Sequence, residues 1–277
     1  MTRRRFAFSL VASAEPRRII STTPGITEIL FALGLGSRVV GVTKFCRYPP
    51  EAARLPKIGG FTQLDIERIT SLRPDLVIIQ RNPVDLGSKL RRMNLPVLEL
   101  PFDSVSETLA AIDRIGAAAG ASDRGRELSR RIRGDLDRIR GTRGPPRTIA
   151  FIVGRNPGAI SGLMAVGRAS FLRELIEIAG GRNVFDDAAG AYPKVTLEEL
   201  LSRNPDVIVD MGEMAETTGD TATLTRQVSV LWAKYPMLKA VRERRLYAVA
   251  SDIYVRPGPR MAEAAQAFAR MLHPEER

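Results

Sequence analysis

The chain has 277 residues, 44% hydrophobic and 26% charged, the profile of a soluble globular protein with room for two domains and a sizeable core. Its single cysteine, Cys46, excludes an internal disulfide and a thiolate zinc site, and past the N-terminus no stretch approaches the roughly 18 unbroken apolar residues of a membrane span. The formal charge of +11 sits on scattered arginines that alternate with acids, as from Arg124 to Arg140. Without aromatic residues interleaved among them to stack bases, they describe a basic solvated surface and not a nucleic-acid interface.

In chain order, residues 1–14, MTRRRFAFSLVASA, place Arg3, Arg4 and Arg5 before an apolar run and close on Ala12-Ser13-Ala14, which predicts a secretory signal peptide. No lipid-anchoring cysteine follows Ala14, so a soluble periplasmic protein is expected. From Arg17 a short β-branched strand turns at Thr23-Pro24-Gly25 into a helix with an apolar stripe of Ile26, Ile29, Leu30 and Leu33, ended by Gly34 and Gly36. "RVVGVT", "DLVIIQ" and "LPVLELP" read as further strands separated by helices, the signature of a parallel sheet covered on both faces.

The pattern changes at Ser104-Val-Ser-Glu107, which predicts a capping box opening one helix. Asp123 to Arg140 follows as a second helix with no strand between, striped by Leu128, Ile132, Leu136 and Ile139 and about 27 Å long at 1.5 Å per residue. Strand and helix alternation then resumes with "RTIAFIVG", a helix ended by Gly180-Gly181, "DVIVDMG", "RLYAVA" and a final helix from about Gly258. The expected organisation is α/β: an N-terminal lobe at 17–118, a single long rigid helix at 122–141 and a C-terminal lobe at 146–277. Each lobe is built on a mainly parallel sheet flanked by helices.

One stretch occurs twice. "DIERITSLRPDLVII" from Asp65 returns as "TLEELLSRNPDVIVD" from Thr196, and in each a helix leads through Pro-Asp into a buried strand. Asp65 and Thr196 are predicted N-caps, which puts Glu67 and Glu198 at the same second helical position. Taken alone, each glutamate complements the positive end of a helix dipole.

"RRIISTTPGITEILFALGLGSRVVGVTKFCRYPPEAARLPKIGGFTQLDIERITSLRPDLVI", together with "AYPKVTLEELLSRNPDVIV" and "SDIYVRPGPR", resembles the substrate-binding proteins of ABC importers for cobalamin, ferric siderophores and haem. The Tyr48-Pro49-Pro50-Glu51 run and the paired glutamates are most similar to the cobalamin-binding branch. The resemblance covers Arg17 to about Arg270 and implies a class III periplasmic binding protein fold with the ligand in the cleft between lobes. It implies a bulky cobalt or iron chelate as cargo, no resident cofactor or metal ligand set, and a monomer that docks on a dimeric membrane permease through Glu67 and Glu198. The candidate ligand-binding residues it suggests are Phe45, Tyr48, Phe61, Gln80, Arg81, Arg155, Tyr192, Asp252, Tyr254 and Arg256. Arg47, Arg81, Arg155 and Arg256 would line the cleft with positive charge suited to an anionic siderophore. Haem ligation by Tyr48, Tyr192 or Tyr254 is the alternative within the family.

Two other function classes compete. A two-domain α/β enzyme would need a catalytic set, and the one histidine, His273, falls in a polar tail expected to be solvated. A receptor for free zinc or manganese would need several converging His and carboxylate ligands, for which a single histidine is poor material.

Overall fold

The computed structural model describes residues 15–61, 63–81, 85–140, 145–213 and 221–274; the expected signal peptide at 1–14 lies outside them. Strand β1 (Ile19–Ser21) is buried along its whole length, and α1 (Pro24–Ala32) starts directly after it. Thr23 caps α1 by accepting a hydrogen bond from Ile26 N, and Pro24 occupies the first helical turn, where a missing N–H leaves no bond unmade. Strand β2 (Val39–Val42), a short α2 (Pro50–Ala53), α3 (Ile66–Ser71), β3 (Leu76–Gln80), α4 (Leu86–Arg92) and β4 (Val97–Leu100) complete the first half. Its strands are all parallel, in the order β2-β1-β3-β4.

Helix α5 (Val105–Ala118) and helix α6 (Ser122–Arg140) form an antiparallel pair between the two sheets. Ser104 caps α5 through Glu107 N at 3.0 Å, as the sequence predicts, but the Glu107 carboxylate reaches Asp103 N at 2.9 Å, one residue before the cap. Gly116 and Gly125 bring the two helices into backbone contact: a Cβ on Gly116 would lie 3.1 Å from Gly125 Cα. Leu128, Ile132, Leu136 and Ile139 are buried as their spacing predicts. Nineteen residues give α6 a length of about 28 Å.

The second half contains β5 (Arg147–Gly154), β6 (Leu163–Ala165), α7 (Phe171–Ile178), β7 (Gly181–Asn183), β8 (Lys194–Val195), α8 (Leu197–Arg203), β9 (Val207–Asp210), α9 (Thr221–Trp232), α10 (Lys239–Arg242), β10 (Leu246–Ala248) and α11 (Met261–Leu272). Its sheet runs β10-β9-β5-β6-β8, with β7 also on β5. Strands β7, β9 and β10 are joined by parallel pairing, whereas β6 and β8 are antiparallel additions. Removing those two leaves β7-β5-β9-β10, which repeats the order β2-β1-β3-β4.

The duplicated stretch has a structural meaning at its Pro-Asp. Arg73 and Asn204 both take left-handed backbone, at φ 45° and 41°, just before the proline. Asp75 then accepts from Arg17 N and Arg18 N, each at 2.8 Å, and Asp206 accepts from Thr148 N at 2.8 Å. In both halves this aspartate ties the start of one strand to the start of its neighbour. A continuous apolar core links the halves, from Ile19 and Ile29 through Ile112, Leu128 and Ile132 to Phe151 and Phe268. The architecture is therefore α/β, two lobes of mainly parallel sheet joined by a long helix. Among the described residues no helix is long and apolar enough to cross a membrane.

Candidate functional site

Loops at the carboxyl ends of β1 to β4 face the segments preceding α7 and α11 across a cavity of about 350 Å³. That is where open α/β sheets present ligand sites. One wall carries Pro24, Phe45, Phe61 and Phe102; the other carries Phe171, Tyr192 and Pro257. Phe45 exposes 43% of its surface and Tyr192 36%, so both rings are available to a guest. The Tyr192 hydroxyl end, by contrast, is buried; burial raises its pKa above the usual phenol value, against the opposing effect of a hydrogen bond with Ser170.

Beneath the cavity floor two lobes meet directly. A Cβ added to Gly25 would fall 2.2 Å from the Pro257 carbonyl oxygen, so only glycine permits this backbone approach. Beside it, Glu28 of α1 is buried and accepts from Arg260 at 2.8 Å (Nε) and 2.5 Å (Nη2), a two-pronged carboxylate–guanidinium pair. Arg260 also donates to Asp252 at 3.0 Å and stacks 4.3 Å above the Tyr48 ring. Arg256 Nη1 lies 2.5 Å from Asp252 Oδ2 without hydrogen-bond alignment, and its Nη2 donates to the Phe45 carbonyl at 3.2 Å. Burial pushes the Glu28 carboxyl above the ordinary carboxylate range, opposed by Arg260. Burial likewise works against the Arg260 charge, but the Glu28 and Asp252 carboxylates outweigh it and raise that pKa. Arg256 is lowered, chiefly by burial.

The structure brings Phe45, Phe61, Gln80, Tyr192 and Arg256 together on the cavity, and separates the other predicted ligand residues from it. Arg155 is a correction: its side chain is 2% exposed and pairs with the buried Asp210 at 2.9 Å, an acid that also accepts from Trp232 Nε1 at 2.7 Å. Tyr254 is a second, buried with its ring against Phe151 and Phe268 and therefore unavailable to haem. Asp252 and Tyr48 belong to the charge cluster under the cavity, and Arg81 stands exposed beside β4, where its backbone N–H donates to Leu100 O at 2.8 Å. Of the arginines expected to line the cleft, Arg155 is elsewhere and Arg256 lies against Asp252 and Glu28, while the described lining is largely aromatic. His273 is also corrected, since it is buried at the end of α11 instead of solvated. Among the described residues no group of three or more His, Cys, Asp or Glu is placed to hold a metal ion.

Residues 19–253 match the sequence model of the family described as periplasmic binding protein. The chain belongs to that family. Its relatives include the uncharacterized ABC transporter substrate-binding lipoprotein YvrC of Bacillus subtilis strain 168, 29% identical over 271 residues that cover 94% of this chain and 81% of YvrC. Among solved structures, the periplasmic vitamin B12 binding protein BtuF of Vibrio cholerae is similar at a TM-score of 0.78 and 26% identity, covering 94% of this chain and 98% of BtuF. The apo form of the periplasmic heme-binding protein RhuT from Roseiflexus sp. RS-1 is similar at 0.77 and 26%, with 94% and 99% covered.

In this periplasmic binding protein Asp65 and Thr196 are both N-caps, accepting from Arg68 N at 2.8 Å and Glu199 N at 3.1 Å. Glu67 and Glu198 are consequently exposed in the first turns of α3 and α8, at equivalent places in the duplicated halves. Glu28, Phe102, Asp103, Phe171 and Arg260 are site residues the sequence reading missed. One signal was present: Glu28 is the only charged residue in the helix PGITEILFA, and an acid inside an apolar helix needs a cation to face.

Proposed function

We propose that this chain is the extracytoplasmic solute-binding component of an ABC importer, taking up a bulky metal chelate between lobes 17–118 and 146–277 and presenting it to a permease dimer. The carrying observation is the aromatic-lined cleft between the two halves. The chelate brings its own metal, the protein works as a monomer outside the cytoplasmic membrane, and binding proceeds without turnover. Glu67 and Glu198, one on each half, are the docking contacts for the two permease subunits, a pseudo-twofold surface on a twofold partner.

Within the chelate class the lining favours a macrocycle such as a corrinoid or haem over a polyanionic siderophore. Among the described residues five aromatic rings line the cavity, and the one arginine on it already faces two carboxylates. A cavity of about 350 Å³ is near the lower limit for small-molecule sites, so a large macrocycle inserts a ring face and leaves its remainder in the open mouth. The test is calorimetric titration of the purified protein with cyanocobalamin, haemin and a ferric tris-catecholate. Binding of either macrocycle with no catecholate binding is expected. Catecholate binding alone overturns the ligand preference, and failure of all three rejects the import reading.

A further inference from the structure

Phe45 and Tyr48 project from one loop after β2, and both are unusually bare for aromatic residues, at 43% and 47% exposure. Rings so exposed gain little from burial, so something other than packing must hold them. Lys44 Nζ stands 5.2 Å from the Phe45 ring within the loop, and two further contacts come from the opposite lobe: Arg256 Nη2 on the Phe45 carbonyl and the Arg260 guanidinium on the Tyr48 ring. Both arginines converge on Glu28, whose carboxylate takes two hydrogen bonds from Arg260 and lies 3.9 Å from Arg256 Nη1. Among the described residues Asp252 is the only other acid in the cluster, and it also serves both cations.

We infer that Glu28 is a positioning residue for the cleft: it fixes Arg256 and Arg260, and through them the Phe45–Tyr48 loop, in the geometry that receives the cargo. Glu28 itself does not line the cavity. Two part-buried arginines with a single aspartate would hold one excess positive charge, and they would separate or turn toward water, releasing the loop. An ion pair of this kind adds little to stability over an apolar substitute of equal volume; its effect is on geometry, as a wall set before the ligand arrives. The inference extends the import reading, on which its ligand arm rests.

The experiment is Glu28→Gln in the full-length protein, read by amide hydrogen exchange and by titration with cyanocobalamin and haemin. Exchange at Lys44 and Cys46, whose N–H groups donate to Gly59 O and Thr43 O, should quicken about tenfold, while amides of β5 and α6 keep their wild-type rates. The affinity for whichever macrocycle binds the wild type should fall about tenfold, equivalent to about 1.4 kcal/mol. Unchanged exchange in the loop overturns the inference, and so does uniform quickening through β5 and α6, which marks a merely structural residue. If no macrocycle binds the wild type, the macrocycle preference fails while the exchange arm still decides the role of Glu28. Should E28Q not fold, Arg256→Lys keeps the Glu28–Arg260 pair and removes the fork on Phe45 O; the same local quickening is then expected, and its absence overturns the proposal.

Discussion

Asp206 accepts from Thr148 N and Oγ1, both at 2.8 Å, and pairs with Lys239. Although burial pushes the other way, these partners hold its pKa at about 2, below the ordinary 3.8. A carboxyl whose folded pKa is depressed contributes stability above the unfolded value and loses it as pH falls through the folded one. Asp206→Asn should therefore cost about 1–2 kcal/mol at pH 7, after allowance for partial solvent screening, and the difference from wild type should vanish as urea unfolding is followed from pH 4 to 2. Arg155→Met should destabilise by about 3–5 kcal/mol in the same assay, because it strands the buried Asp210, yet leave ligand affinity within about twofold because it is absent from the cavity wall. These residues also mark what a sequence can say about a site. The family resemblance pointed to Phe45, Phe61, Gln80, Tyr192 and Arg256, which the structure brings to one cavity. It misassigned Arg155 and Tyr254, since period and motif carry no side-chain direction in irregular backbone. Glu28 escaped because its partner Arg260 lies 232 residues away.

Among the elements, most helices and the parallel strands flanked by them were legible, since apolar stripes and β-branched runs reveal a period; α9 (Thr221–Trp232) was not. Strands β6, β7 and β8 were not: Leu-Met-Ala, Gly-Arg-Asn and Lys-Val carry no run of β-branched residues, so tertiary pairing with β5 and β6 makes them strands. Helix α1 has the tightest constraint, because its Gly25 abuts the Pro257 carbonyl and backbone stands on both sides of the contact. Gly25→Ala should lower stability by about 1–3 kcal/mol and weaken ligand binding in parallel, measured by thermal unfolding and calorimetry. An Ala at Gly134 of α6, where a Cβ meets nothing within 4 Å, is the matched control and should bind as wild type.

At the level of the whole molecule, the sheet orders β2-β1-β3-β4 and β7-β5-β9-β10 make two copies of one plan, and the shared Asp-to-strand ties and N-caps fall at equivalent places. The repeat in the sequence signalled that plan, although not the antiparallel β6 and β8. With Glu67 and Glu198 exposed at matching places in the two copies, the docking role is open to a direct test. Glu67→Arg combined with Glu198→Arg should leave macrocycle affinity within about twofold and abolish co-purification with the detergent-solubilised permease; retained co-purification rejects that role.

The strands from Ile19 to Leu100 lie in one sheet and those from Arg147 to Ala248 in the other, so the polypeptide passes from half to half once, through α5 and α6. A break after Arg140 would part the molecule into two pieces whose mating faces are continuous apolar core. Such pieces are natural material for a split reporter, in which reunion of the fragments, tightened by a guest that touches both, is the signal.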